Sequence, residues 1–382
     1  MNNNINKYVT GREIYHQPEV WMKTFEIIED KKKELEIFLE DIINVQNIRI
    51  ILTGAGTSGF VGDTVVPYIK NKFSNLDVES VHTTDIVSHP ETYFKSNIPT
   101  LLISFARSGN SPESVATVKL AEDLIDNLHQ IVFTCNSEGE LAKNIDRTKN
   151  KLILLPEESN DKGFAMTSSY TSMVLASLLF FSIDEMEYLK RNIYKVFDLG
   201  IKALENTEVI EKIASINFSK IIYLGANSFY GLARESSLKL LELAAGKIVT
   251  KYDSPLGFRH GPKSIVDDET LIVIFLSRDD YSRKYEYDLI RELSLEEGNH
   301  KVLVISETLD ESVEELSDYY IYLSDEELSI DERFNSINYI IYPQILGLLE
   351  SIKLGINPDN PSPKGSVNRV VQGVKIYPYN KN

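Results

Sequence analysis

The sequence predicts an α/β protein: two tandem doubly wound domains, each on a parallel sheet, related by internal duplication. Three observations carry this. First, Ile50-Ile51-Leu52-Thr53-Gly54-Ala55-Gly56-Thr57-Ser58-Gly59-Phe60 resembles Ile221-Ile222-Tyr223-Leu224-Gly225-Ala226-Asn227-Ser228-Phe229-Tyr230-Gly231; each is an apolar run, a small-residue turn and a helix-like stretch. Second, Thr100-Leu101-Leu102-Ile103-Ser104 matches Thr270-Leu271-Ile272-Val273-Ile274, and Gln130-Ile131-Val132-Phe133 matches Lys301-Val302-Leu303-Val304. The offset is steady at roughly 170 residues, too long for a solenoid and right for a duplicated domain. Third, continuous apolar runs alternate with helical patterns in each copy, which implies a parallel sheet covered on both faces.

In chain order, 1–45 is a helical lead-in. The first domain spans 46–190, with strands near 48–53, 78–83, 100–105, 130–134 and 151–155 and helices over 60–72 and 112–126. A charged helical linker covers 191–215. The second domain covers 216–355, and its final segment, 333–354, reads as amphipathic. The tail, 356–382, is rich in Pro, Gly and Asn.

Composition narrows the function. Lys plus Arg is 40 and Asp plus Glu is 57, so the formal charge is 40 − 57 = −17. That balance argues against a nucleic-acid or anionic-membrane partner, but local donors can still hold an anionic metabolite. Cys135 is the single cysteine, which excludes an intrachain disulfide and makes a thiolate metal site implausible. No apolar run reaches membrane-spanning length, and the polar N-terminus lacks a signal-peptide core. A cytoplasmic protein without a metal or organic cofactor is expected.

Ligands of doubly wound sheets sit at the C-terminal ends of the strands. There, Ser104-Phe105-Ala106-Arg107-Ser108-Gly109-Asn110-Ser111-Pro112 leaves a strand and opens a helix, with Pro112 suited to the first turn. Free backbone N–H groups at such a terminus, the Ser108 and Ser111 hydroxyls and the close approach allowed by Gly109 suit a phosphate monoester. Thr57 and Ser58, after Gly56 in the neighbouring turn, close the cradle. The same residues also serve as simple helix caps. In the second copy, Ser277-Arg278-Asp279-Asp280 places two carboxylates where they repel phosphate, so one phosphate site per chain is expected. Gly54-Ala55-Gly56 with Gly59 also fits a dinucleotide fingerprint, with Asp77 near the place of a ribose-binding acid. That alternative predicts a bound nicotinamide cofactor.

Glu235 and Glu242 lie two turns apart on one helix and share a face. A carboxylate there can act as the base on a carbon next to a carbonyl. The Gly/Pro-rich loop from Tyr252 to Lys263 follows and carries His260, suited to moving a proton between a ring oxygen and O1. Both also read as solvated or structural residues when taken singly. The remaining histidines have no such context; His82 and His89 flank Asp85 without a convincing metal spacing. The tail can fold over a site and supply Lys364 or Arg369.

Taken together, these motifs resemble the SIS (sugar isomerase) domain family, most closely its AgaS group, and more distantly the isomerase half of glucosamine-6-phosphate synthase. The resemblance also rests on Asp161-Lys162-Gly163-Phe164-Ala165-Met166-Thr167-Ser168-Ser169, on Ala233 to Glu242 and on Asn357-Pro358-Asp359-Asn360-Pro361. It implies phosphate binding by Ser58, Ser108 and Ser111, with Gly56, Thr57, Arg107, Gly109, Thr167 and Ser168 around the substrate. It implies that Glu242, with Glu235 nearby, is the C2 base and His260 the ring-opening group, reaching a partner subunit's site in a homodimer. Ala106-Arg107-Ser108 stands where the synthase group has Ser-Gln-Ser, and no nucleophilic cysteine follows Met1, so glutamine-driven synthesis is not expected. The implied reaction converts galactosamine 6-phosphate, or glucosamine 6-phosphate, to the ketose 6-phosphate and ammonia. Plain aldose–ketose isomerisation and a phosphosugar-sensing regulator remain the alternatives.

Overall fold

The computed structural model of the chain describes residues 5–326, 331–365 and 367–379. The chain divides into two compact units. The first-repeat unit holds Glu19–Lys162, Met166–Glu187 and the chain from Lys364 on; the second-repeat unit holds the chain up to Pro18, Gly163–Ala165 and Tyr188–Pro363. The lead-in thus changes unit at Pro18 and the tail at Pro363.

The helices α1 (Val9–Tyr15), α2 (Gln17–Asp30) and α3 (Lys32–Ile43) lie before the first strand. The first repeat then runs β1 (Arg49–Thr53), α4 (Thr57–Lys72), β2 (Asp77–Ser80), β3 (Thr100–Ala106), α5 (Pro112–Leu124), β4 (Leu128–Thr134), β5 (Lys151–Leu154) and α6 (Ser168–Phe180). Its strands are all parallel, in the order β2-β1-β3-β4-β5. After α7 (Met186–Glu205), the second repeat runs β6 (Lys220–Gly225), α8 (Ser228–Leu243), β7 (Val249–Asp253), β8 (Thr270–Phe275), α9 (Asp280–Leu295), β9 (Lys301–Thr308), β10 (Tyr319–Ser324) and α10 (Ile341–Lys353). Its order, β7-β6-β8-β9-β10, is the same path, again all parallel.

The duplication reaches the backbone angles. Gly56 caps α4 at φ 56°, ψ −129°, and Asn227 caps α8 at φ 53°, ψ −124°. Gly54 and Gly225 close the two turns: a Cβ on Gly54 would lie 2.5 Å from the Ser58 carbonyl carbon, and one on Gly225 2.2 Å from the Phe229 oxygen. No larger side chain fits either place.

Both cores contain a helix that the hydrophobic pattern did not announce as such. All residues of α6 are buried, its serines and threonine included; a helix buried all round has no apolar stripe, hence no period to read. Two of its polar side chains are bonded within the core: Trp21 Nε1 donates to Thr171 Oγ1 at 2.8 Å, and the Tyr170 hydroxyl meets Thr64 Oγ1 at 2.9 Å. In the second repeat, α10 is buried at every position from Ile341 to Leu348. The expectation of an amphipathic segment over 333–354 is corrected accordingly: this is a core helix packed on α8, and a Cβ on Gly347 would come within 3.0 Å of Leu243 Cδ1.

The Asn/Pro motif of the tail has a structural task. Asp359 accepts from Val9 N at 2.9 Å, Thr10 N at 2.8 Å and Thr10 Oγ1 at 2.8 Å, supplying α1 with the cap that Tyr8 cannot provide. Replacing Asp359 by Ala is expected to lower stability by about 1–2 kcal/mol, as a lost cap does, measured by urea unfolding; Asp359→Asn should lose less.

Candidate functional site

Strand order reverses direction between β1 and β3, and the crevice beyond their C-terminal ends is where such sheets bind ligands. The first repeat puts both Ser/Gly turns there, because Thr53, the last residue of β1, is the register partner of Ser104, two residues before β3 ends at Ala106. Thr57 and Ser58 begin α4 and are buried. Ser111 precedes α5, with Pro112 at its first position, so the α5 amides face the same edge as Ser108 and Gly109.

The shape of the Ser108 turn is imposed by its neighbour. Asn136 Nδ2 donates to the Ser108 carbonyl at 2.8 Å, Glu140 N donates to Asn110 Oδ1 at 2.9 Å, and Leu141 N donates to the Gly109 carbonyl at 3.1 Å. Gly109 has φ 68°, and a Cβ on Gly139 would meet the Ser108 oxygen at 2.5 Å. Asn136 and Gly139 therefore shape the candidate phosphate turn although neither was among the residues expected; the Asn-x-x-Gly spacing after β4 is the signal that points to them.

Thr167 and Ser168 open α6 under one buried carboxylate. Asp161 accepts from Thr167 N at 2.9 Å, Thr167 Oγ1 at 2.9 Å, Ser168 N at 3.1 Å and Ser169 N at 2.9 Å. Cys135 is buried nearby, and burial pushes its thiol up to about 12, so it is no nucleophile.

The second repeat fills the corresponding edge with its own acids. Glu286, on α9, accepts from Ser277 N at 2.8 Å and Ser277 Oγ at 2.6 Å, while Glu332 accepts from Arg278 N at 2.6 Å. The two edges differ in this respect, and the carboxylates that accept are not Asp279 and Asp280: Asp279 caps α9 by accepting from Ser282 N at 2.8 Å. Among the described residues, no carboxylate accepts from Ser108 or Ser111.

The dinucleotide alternative loses its acid. Asp77 begins β2 opposite Arg49 at the start of β1, and Arg49 Nε lies 3.5 Å from it. It therefore sits at the N-terminal end of the sheet, away from the Gly54 turn. His82 pairs with Asp63 at 3.3 Å rather than with Asp85, and no metal-binding cluster occurs among the described residues. No helix there is long and apolar enough to cross a membrane.

On α8, Glu235 and Glu242 do share a face, and the residue between them is decisive. Lys239 Nζ lies 2.7 Å from Glu242 Oε2 and 3.4 Å from Glu235 Oε1. The side chains of Lys239 and Glu235 are 0% exposed, that of Glu242 24%. A dry ammonium costs several kcal/mol unless well paired, and two carboxylates hold it. Glu242 alone keeps an edge open. Sequence reading paired the acids and overlooked the i+4 and i−3 cation.

His260 stands on an ordered loop. Phe258 is fully buried in the core of the second repeat, which stabilises the loop by about 2–3 kcal/mol. Ser254 Oγ accepts from Gly257 N at 3.0 Å, and Arg259 and Lys263 pair with Glu292 on α9. His260 itself is exposed. In the first-repeat unit, Lys364 is exposed, while Arg369 turns onto backbone: its Nε donates to the Asp161 carbonyl at 3.1 Å.

Residues 42–183 and 215–340 match the SIS domain. The chain belongs to the SIS domain family. Over 97% of its length this SIS protein is 41% identical to D-galactosamine-6-phosphate deaminase AgaS of Shewanella sp. (strain ANA-3), of which 92% is covered. A crystal structure from Clostridium novyi NT matches at 52% identity and TM-score 0.95, covering 97% of this chain and 95% of that one. That of tagatose-6-phosphate ketose/aldose isomerase from Escherichia coli matches at 37% identity and TM-score 0.88, covering 98% and 97%. The family read from the motifs is thus the family of the chain.

Glu286 makes the filled edge pH-sensitive. Burial pushes its carboxyl up from 4.5 to about 7. The folded state therefore holds this proton more tightly than the unfolded chain, which stabilises it by about 3 kcal/mol below pH 4.5. The contribution fades as pH rises through 7. Glu286→Gln should abolish that part of the slope of unfolding free energy between pH 4.5 and 7, measured by urea titration at each pH.

Proposed function

We propose that this SIS protein is an amino-sugar phosphate deaminase/isomerase that converts galactosamine 6-phosphate to tagatose 6-phosphate and ammonia. The observation that carries the reading is Glu242, a carboxylate fixed on a core helix by a fully buried lysine yet open along one edge. The name borne by the Shewanella relative supplies the substrate, with glucosamine 6-phosphate as the nearest rival.

In this reading the Ser58, Ser108 and Ser111 hydroxyls bind the phosphate, assisted by the backbone of Gly56, Thr57 and Gly109, with Thr167 and Ser168 lining the substrate. His260 moves a proton between the ring oxygen and O1 and opens the sugar. Its exposure suits a histidine donated to a second copy of the chain, so the working form is a homodimer. Glu242 removes the C2 proton and returns it at C1, while O1 gains a proton and the amine nitrogen gives one up, so that the open-chain aldose amine becomes a C2 ketimine with a C1 hydroxyl. Water adds to the C2=N carbon, the C–N bond breaks, and ammonia leaves with the ketose. Glu235 and Lys239 hold the base in place. Proton transfers and hydrolysis need no metal or organic cofactor. A phosphorylated sugar as substrate and a lone buried cysteine suit the cytoplasm.

A plain isomerase uses the same C2-to-C1 transfer without the hydrolytic step, and the E. coli neighbour bears such a name. Ammonia and ketose phosphate measured separately on galactosamine and glucosamine 6-phosphates decide: equimolar ammonia supports the deaminase, and ketose formed only from a neutral hexose phosphate supports the isomerase. Glu242→Gln is expected to lower kcat at least about a hundredfold with substrate affinity nearly kept, read by steady-state kinetics and calorimetry. Full turnover in that variant would remove this mechanism.

A further inference from the structure

Two arginines of the first-repeat unit have no part in these proton transfers. Arg107, 6% exposed, follows β3 directly, and its Nη2 donates to the backbone carbonyl of Arg369 at 2.6 Å across 262 residues of sequence. The Arg369 side chain reaches the other way. Its Nε donates to the Asp161 carbonyl at 3.1 Å, and its Nη2 to the same carbonyl and to Asn160 Oδ1, the latter at 3.4 Å. The Asp161 carboxylate in turn holds the amides of Thr167, Ser168 and Ser169. One tail residue is therefore bonded through its backbone to the turn after β3 and through its side chain to the turn that caps α6. Further on, Tyr379 hydrogen-bonds Glu91 in the same unit, while Val371 and Tyr377 remain exposed.

We infer that Arg369 is a positioning residue, a strap that fixes the Ser108–Ser111 turn relative to the Ser168 turn and so sets affinity for the phosphate ester without touching it. The consequence for affinity rests on the functional reading above; the strap itself does not. The chemistry favours arginine. Two acceptors at different places need a planar fork of donors, and lysine offers a single point charge. Charge-assisted bonds of this kind are worth enough to order a turn, yet the tail lies outside the sheet core, so their loss leaves the fold standing.

The test compares the full-length wild type with Arg369→Ala, Arg369→Lys, Arg107→Ala and the double alanine variant. Amide hydrogen exchange is expected to quicken roughly tenfold at 107–111 and 167–169 in Arg369→Ala, with Tm nearly unchanged. The lysine variant should behave like the alanine one. KM for galactosamine 6-phosphate should rise roughly tenfold, the loss falling on KM rather than kcat. The double variant should be little worse than either single one, because both undo the same tie. Unchanged exchange at the two turns, or losses in KM that add, would overturn the strap. If the wild type releases no ammonia from any amino-sugar phosphate, the functional reading fails while the exchange measurement still decides this proposal.

Discussion

A parallel sheet gathers unpaired backbone donors along its C-terminal edge, where every following helix begins, and those donors must be met by something. The rest of this protein's organisation follows from how its two repeats meet that demand. Both have the same strand order and even the same cap angles at Gly56 and Asn227. In the second repeat, Glu286 and Glu332 take the Ser277 and Arg278 amides. In the first, the Ser108 turn is shaped by Asn136 and Gly139 and presents hydroxyls instead. Duplication supplied two edges, and internal carboxylates closed one of them.

The second constraint is electrostatic. A fully buried lysine on α8 is a poor way to gain stability, since apolar residues of similar size commonly do as well as a buried ion pair. Lys239 is intelligible as the device that holds Glu242 and Glu235 at fixed spacing. The asymmetry in exposure then matters more than the pairing itself: Glu235 is sealed in, and Glu242 retains access. A carboxylate immobilised in this way loses little freedom when a substrate arrives, which is the benefit of preorganisation.

Much of this was legible in the sequence. All five strands of the first repeat fall within a few residues of the expected ranges, because fully buried parallel strands leave continuous apolar runs between turn residues. The Ser and Gly turns were legible for the same reason. What escaped were groups whose meaning depends on three-dimensional neighbours. The helix α6 has no polar face to give it a period. Lys239 looks like an ordinary surface lysine in a helix until its complete burial is known. Asp161 caps residues six to eight positions away, and Glu286 reaches back nine residues to Ser277, so neither announces itself locally. Asp279 drew attention by its position beside the turn and proved to be a helix cap.

Most depends on the anion belonging to the first repeat's edge. A crystal structure with galactosamine 6-phosphate tests it directly. Phosphate oxygens within about 3 Å of the Ser108 and Ser111 hydroxyls, with Ser277 still bonded to Glu286, are the result expected. A phosphate seated on Ser277 and Arg278 with Glu286 displaced would contradict it.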